Sequence, residues 1–327
     1  MGTCNESRNN SNPNIHQRTI RKKKEKDSEK EKEKSNEAVF PGIGNSISDE
    51  KFKIISNQKQ KSVCKIIKNG KKGTGFFCYI GEYRKIKGLI TAYHVLGEED
   101  LKIGNEIKFN FNDDIEKIRT IKIDNSRSIY ANEKDDITII EILDNDKLGN
   151  YNLLEIDDRI YDNNINYYNE YNNKIIYILH YPEGNFASFS KNIIADIDEN
   201  NNIYHFCSTE GGSSGAPILN FDTLKVIGVH QAYGHFEKEK FHNEEIIKNY
   251  NYFNNNNKIM CNLGKIIKES IYNFNKENKI ILTLNINKDD IGKKIYFLQN
   301  YDEMKTSQVE NILRRIPKTK NKDIENH

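Results

Sequence analysis

From about residue 56 the chain is a succession of short apolar runs separated by turn-forming residues. This rhythm restricts the fold more than any other feature. Residues 63–67, 74–80, 88–91, 107–111, 120–123 and 137–143 read as strands, and so do 174–180, 187–195, 203–207, 216–219 and 226–233. Many short strands at regular spacing point to an all-β sandwich or barrel. The runs pause between about 150 and 173, where asparagine clusters at 163, 164, 166, 169, 172 and 173. The pause divides the pattern into two β units in sequence, about 56–150 and about 174–260. A second asparagine cluster at 249–257 predicts a surface loop. After it Leu263, Ile266, Ile267, Ser270, Ile271 and Phe274 recur at helical spacing, so a closing amphipathic helix is expected over about 261–274.

The flanks differ. Residues 1–50 are polar and charged with almost no apolar periodicity, a composition too poor in burial to offset ordering entropy, and they are expected to be disordered. Residues 279–327 hold two strand-like runs up to 298 and a charged tail, a short β extension. The expected folded domain is therefore 51–278. The 36% hydrophobic content of the whole chain is rich in isoleucine and tyrosine, which suit strands.

Several function classes lose support at this stage. The net charge of +2 gives no nucleic-acid footprint. Five cysteines, at 4, 64, 78, 207 and 261, form no tight pair, so neither a disulfide framework nor a zinc site is expected. His205, His235 and His242 have no partners at metal-ligand spacing, and no cofactor is implied. No apolar run is long enough for a membrane helix and the first 40 residues hold no signal-peptide core, so an intracellular, cytoplasmic protein is expected. The start Met1-Gly2-Thr3-Cys4 offers Gly2 for myristoylation and Cys4 for palmitoylation, although Glu6 stands where that pattern wants Ser or Thr. Two acyl chains, with the net +4 of residues 18–34, would give peripheral membrane association.

Three segments carry the chemistry. The first is Gly73-Thr74-Gly75-Phe76-Phe77, followed by the run from Gly88 through Leu89, Ile90, Thr91, Ala92 and Tyr93 to His94. The second is Asp135-Asp136 before Ile137-Thr138-Ile139-Ile140. The third is Gly211-Gly212-Ser213-Ser214-Gly215-Ala216-Pro217. In this order and on this β-rich background, the chain resembles the trypsin-like serine peptidases across roughly residues 58–272. The order His, Asp, Ser is that of the chymotrypsin group. The resemblance implies two six-stranded antiparallel β-barrels, chymotrypsin-like, with a cleft between them and the C-terminal helix packed outside.

It also implies roles. Ser214 is the nucleophile, because Gly215 and Pro217 follow it at the offsets of the motif, and Ser213 falls at the variable position. His94 is the base that takes its proton and later protonates the leaving amine. Asp136, directly before the apolar run, is the buried acid that holds the imidazole; Asp135 is expected to be exposed. The N–H groups of Gly212 and Ser214 form the oxyanion hole. Ser213 cannot make the ion pair by which secreted members are activated. The family's disulfide beside the histidine is missing, since Val95 follows His94.

For the residue before the scissile bond, Ser208 stands where an aspartate would select Lys or Arg. Thr209 follows it, and Val226-Ile227-Gly228-Val229-His230 resembles a segment of glutamyl and viral 3C-type peptidases. Thr209 and His230 are thus expected to bind a Glu or Gln side chain. His180-Tyr181-Pro182-Glu183-Gly184 resembles a structural turn of the family. The expected activity is that of a serine endopeptidase acting on protein or peptide substrates through an acyl-enzyme. The alternative is a catalytically inactive peptidase-like module that holds an extended peptide by strand addition.

Overall fold

In the computed structural model the described residues are 47–277, apart from 69–70, 82–85, 113, 245–247 and 249–256. Gly2, Cys4, the charged stretch up to residue 46, most of the second asparagine cluster and the strand-like runs of 279–298 lie outside them. From Glu50 onward the described residues belong to one compact unit.

Thirteen strands among the described residues build two antiparallel sheets. The first comprises β1 (Val63–Lys68), β2 (Lys71–Ile80), β3 (Ile86–Thr91), β4 (Glu106–Phe111), β5 (Asp114–Lys122), β6 (Ile129–Asn132) and β7 (Ile137–Glu141), in the order β5-β4-β1-β2-β3-β7-β6. The second comprises β8 (Ile175–His180), β9 (Ser188–Ile197), β10 (Asn202–His205), β11 (Pro217–Asn220), β12 (Val226–Glu237) and β13 (Lys258–Ile266). It closes as the barrel β10-β13-β12-β11-β8-β9. The two β units and the six-stranded second barrel agree with the sequence reading.

The first unit departs from it. Its sheet has seven strands, and no ladder joins β5 to β6. These edge strands are consecutive in the chain, separated only by residues 123–128. There Asp124 accepts from the Ser126 N–H, and the buried Arg127 guanidinium forks onto Asp146 at 2.6 and 2.9 Å. The turn thus interrupts what would otherwise be one strand, and the sheet's two ends are linked covalently rather than by a ladder. β6 escaped prediction because four residues, of which Tyr130 alone is fully buried, give little period-2 signal.

The predicted closing helix also needs correction. Residues 258–266 are strand β13, in which Ile259, Cys261, Gly264 and Ile266 are buried while Lys258 and Met260 are exposed. The strand completes the barrel between β10 and β12, a long-range constraint that overrode the helical spacing of Leu263 and Ile266. Helix α3 (Lys268–Glu277) starts later and buries Ser270, Ile271 and Phe274. Two further helices are α1 (Asp49–Lys61), whose Lys51 and Gln58 side chains donate to the carbonyls of Phe221 and Leu224, and the short α2 (Tyr167–Tyr171).

The core of the first sheet is aromatic at its centre: Phe77 meets Phe109, Phe111 and Tyr151 at ring separations of 5.1 to 5.4 Å. Residues 150–157 pass from one sheet to the other, with parallel bridges from Leu154 to Cys78 and from Ile156 to Val226. The first asparagine cluster follows this connection, as expected.

Candidate active site

His94 follows β3 in a tight turn, and Asp136 ends the turn that leads into β7. Because β3 and β7 pair, with Thr91 opposite Thr138, the two residues come together across 42 positions of sequence. His94 Nδ1 lies 2.8 Å from Asp136 Oδ2 and 3.0 Å from Oδ1, and the His94 backbone N–H donates to Oδ1 at 2.9 Å. Asp136 adopts φ +50°, a left-handed conformation in which aspartate is one of the tolerated residues. The pair is less hidden than expected: the side chains are 50% and 24% exposed for His94 and Asp136. Asp135, expected to be exposed, is the more covered of the two acids at 12%. Its carboxylate faces Lys265 Nζ at 3.6 Å, and its carbonyl accepts from Gln231 Nε2.

Ser214 comes from the other sheet, in the turn before β11. It lines the same open cleft as His94, together with Lys68, Lys72, Gly73 and Val95. Its hydroxyl is not bonded to His94 but donates to the Gln231 carbonyl at 2.9 Å, so the imidazole and the alcohol share a cleft without touching. The backbone of this turn is fixed by the first sheet: the Thr74 N–H donates to the Ser214 carbonyl at 2.9 Å and the Thr74 hydroxyl to the Gly212 carbonyl at 2.8 Å. Two glycines are required here. Gly212 (φ +91°) and Gly215 (φ +87°) lie in the left-handed region. A Cβ on Gly215 would fall 2.1 Å from the Thr74 carbonyl oxygen and one on Gly212 2.7 Å from that of Tyr181. With the Gly212 carbonyl held by Thr74, the Gly212 and Ser214 N–H groups are left without a protein acceptor among the described residues, as an anion-binding turn requires.

The family described as the trypsin-like peptidase domain matches residues 73–229, a span that includes His94, Asp136, Gly212, Ser214 and Gly215. Residues 73–229 are thus similar to the trypsin-like peptidase domain. Among solved structures, the serine endoprotease from Yersinia pestis is similar at 10% identity (TM-score 0.44), over 69% of this chain and 66% of its own. A human pathogenic astrovirus serine protease is similar at 18% (TM-score 0.39), over 64% and 92%, and the HtrA-type protease AlgW with tripeptide at 13% (TM-score 0.44), over 68% and 61%. The chain thus spans less than two thirds of the first and third of these proteins. No curated protein matches it.

The second barrel holds three histidines that the pairing of His94 with Asp136 does not use. His180, His205 and His230 are all buried. Burial, with help from the neighbouring imidazoles at His205 and His230, keeps them neutral. His180 is lowered to about 4, His230 to about 3, and His205 lies well below the ordinary histidine range. The His205 and His230 rings lie 5.4 Å apart, and neither nitrogen of His205 nor Nδ1 of His230 has a hydrogen-bond partner. His230, expected to bind the substrate side chain, is 2% exposed. Thr209 does not bond to it in the resting site; its hydroxyl donates to Asn262 Oδ1 at 2.6 Å, while Asn262 Nδ2 reaches the Cys207 carbonyl at 2.5 Å.

Gln231, Asn262 and Thr74 are the polar residues sequence reasoning missed. Gln231 stands one residue beyond His230 and Thr74 lies within the Gly73–Phe77 segment, while Asn262 carried no signal. Cys64, Cys78, Cys207 and Cys261 are free and buried, and burial raises each thiol. No group of three or more His, Cys, Asp or Glu residues among the described ones is arranged to hold a metal ion.

Proposed function

We propose that the chain is a serine endopeptidase that cleaves protein or peptide substrates through an acyl-enzyme on Ser214. One observation carries this reading: His94, its Nδ1 held by both oxygens of Asp136, faces the cleft into which Ser214 also opens. Rotation about the Ser214 Cα–Cβ bond frees the hydroxyl from Gln231. Oγ then attacks the substrate carbonyl as its proton passes to His94 Nε2. The Gly212 and Ser214 N–H groups receive the oxyanion, and the C–N bond breaks as His94 protonates the amine. Water, deprotonated in turn by His94, releases the acyl group and restores Ser214.

Thr209 and His230 support a Glu or Gln preference before the scissile bond. Since burial keeps His230 uncharged, an amide is the better partner: a carboxylate would enter without a compensating cation. The resting bond from Ser214 to Gln231 favours the second reading, a peptide-binding module without catalysis.

Labelling by a fluorophosphonate and peptide-library cleavage by the full chain, each beside Ser214→Ala, separate the two. Labelling and cleavage lost only in Ser214→Ala are expected. Well-folded wild-type protein that neither labels nor cleaves would favour the binding module. A preference for Gln that His230→Phe leaves unchanged would remove the pocket assignment while leaving the enzyme intact.

A further inference from the structure

The residue before the candidate nucleophile is held from below by a buried histidine. Ser213 is fully buried, His180 is 3% exposed, and Ser213 Oγ lies 2.7 Å from His180 Nδ1. The Glu210 N–H donates to the same Oγ at 3.1 Å. The Ser213 hydroxyl thus bonds at once to the Glu210 N–H and to the His180 imidazole. The Ser213 side chain therefore closes the Glu210–Ser213 turn and ties it to the end of β8.

His180 begins a segment that cradles the rest of the turn. The Tyr181 N–H donates to the Thr74 hydroxyl, which itself donates to the Gly212 carbonyl. The Glu183 N–H donates to the Gly211 carbonyl at 2.5 Å, and a Cβ on Gly212 would strike the Tyr181 carbonyl oxygen and the Gly184 nitrogen.

We propose that His180 is the positioning residue of the oxyanion turn: its imidazole, through the Ser213 hydroxyl, holds Gly211–Ser214 in the one conformation that aims the Gly212 and Ser214 N–H groups into the cleft. The inference rests on the reading of Ser214 as nucleophile. It replaces a charge pair by a neutral, buried hydrogen bond. The turn is then held without a newly cleaved N-terminus, and the holding bond loses little to ionic strength.

The test uses the full chain with His180→Ala, Ser213→Ala, the double variant and His180→Asn, whose amide can still hydrogen-bond to Ser213. Turnover of a peptide substrate, affinity for a peptide boronate that forms a tetrahedral adduct on the serine, and affinity for an uncleavable ground-state peptide are measured. His180→Ala and Ser213→Ala should each lower kcat and boronate affinity by up to about 100-fold, the worth of one oxyanion donor, with KM and ground-state affinity little changed. The double variant should be no worse than the weaker single variant by more than about threefold, because both remove one link. His180→Asn should recover most of the loss.

A His180→Ala and a Ser213→Ala each within about twofold of wild type, beside an inactive Ser214→Ala, would overturn the positioning role and leave the enzyme reading standing. So would equal losses in ground-state and boronate affinity, which mark general disruption. A Ser214→Ala as active as wild type would instead overturn the underlying reading. Should His180→Ala fail to fold, Ser213→Ala, which removes a single oxygen atom, decides alone.

Discussion

Asp136→Asn tests the imidazole's orientation with the smallest possible change, one oxygen replaced by an NH2. Asp136 Oδ1 accepts from the His94 backbone N–H at 2.9 Å, and Oδ2 lies nearer to Nδ1, at 2.8 Å. In the variant the fixed backbone donor requires an acceptor at the Oδ1 position, so the amide oxygen occupies it and the NH2 is placed against Nδ1. A donor there turns the Nδ1 lone pair toward the introduced amide and moves the imidazole hydrogen to Nε2, where it faces the cleft. His94 can then no longer take the proton of Ser214.

A tautomer inversion of this kind costs about 10,000-fold in kcat, or about 5.5 kcal/mol of barrier. At 50% and 24% exposure the pair's coulombic share is screened by solvent, but the tautomer is not, so the expected loss stays between about 1,000- and 10,000-fold. The assay is kcat/KM on a fluorogenic peptide together with the rate of fluorophosphonate labelling, with thermal melting to show that the fold is kept. Asp135→Asn is the control: its carboxylate serves Lys265, and the carbonyl that binds Gln231 survives the change. An Asp136→Asn enzyme within about tenfold of wild type would refute the reasoning, as would an Asp135→Asn that loses as much.

Two further predictions concern stability. Gly215→Ala should destabilise the domain by about 3 kcal/mol or more, because φ +87° and a Cβ 2.1 Å from the Thr74 oxygen leave no room; a melting temperature within about 2 °C of wild type would contradict this. The three buried histidines should make the fold acid-sensitive. Their folded values lie below the ordinary 6.5, so between pH 6.5 and about 4 the unfolded chain binds protons that the native one refuses. Stability is thus full above pH 6.5 and is lost as pH falls, each histidine contributing a slope of about 1.4 kcal/mol per pH unit. Urea unfolding from about pH 7 to about pH 4.5 should show His205→Phe with a visibly shallower slope; an unchanged slope would show that His205 is protonated in the native state.

What the sequence revealed and what it hid follow from the range of the interactions involved. The strands of the first sheet other than β6, and β8 to β12, were legible because one-sided or complete burial leaves its mark within a few residues, as in the fully buried Ile137–Ile140 run. His94 and Asp136 were found because each sits at a fixed offset from such a run. β13 was misread because its place depends on β10 and β12, distant strands that no local window includes, while Leu263 and Ile266 stand at helical spacing. His180 read as part of a turn because the meaning of its imidazole lies 33 residues away, in a serine that by itself marks only a variable position. Burial inverted one further expectation: Asp135, expected to be exposed, is covered by Lys265, a partner far downstream in the chain.

The seam between the sheets explains why so little of the site has room to move. Thr74, on β2, bonds with both its backbone and its side chain to the turn of Gly212 and Ser214, and Gly215 fits against Thr74, Thr91 and Ala92 with no space for a methyl group. β2 and β3 are the strands that lead to His94. The first sheet therefore positions the histidine and grips the serine turn with the same pair of strands, and β7, paired to β3, brings the aspartate. Donors held this way need no reorganisation as negative charge develops, which is the condition under which they contribute most. The Ser214 hydroxyl is turned to the Gln231 carbonyl. On the proposed reading, a substrate carbonyl entering the cleft is met by rotation of that hydroxyl about one bond.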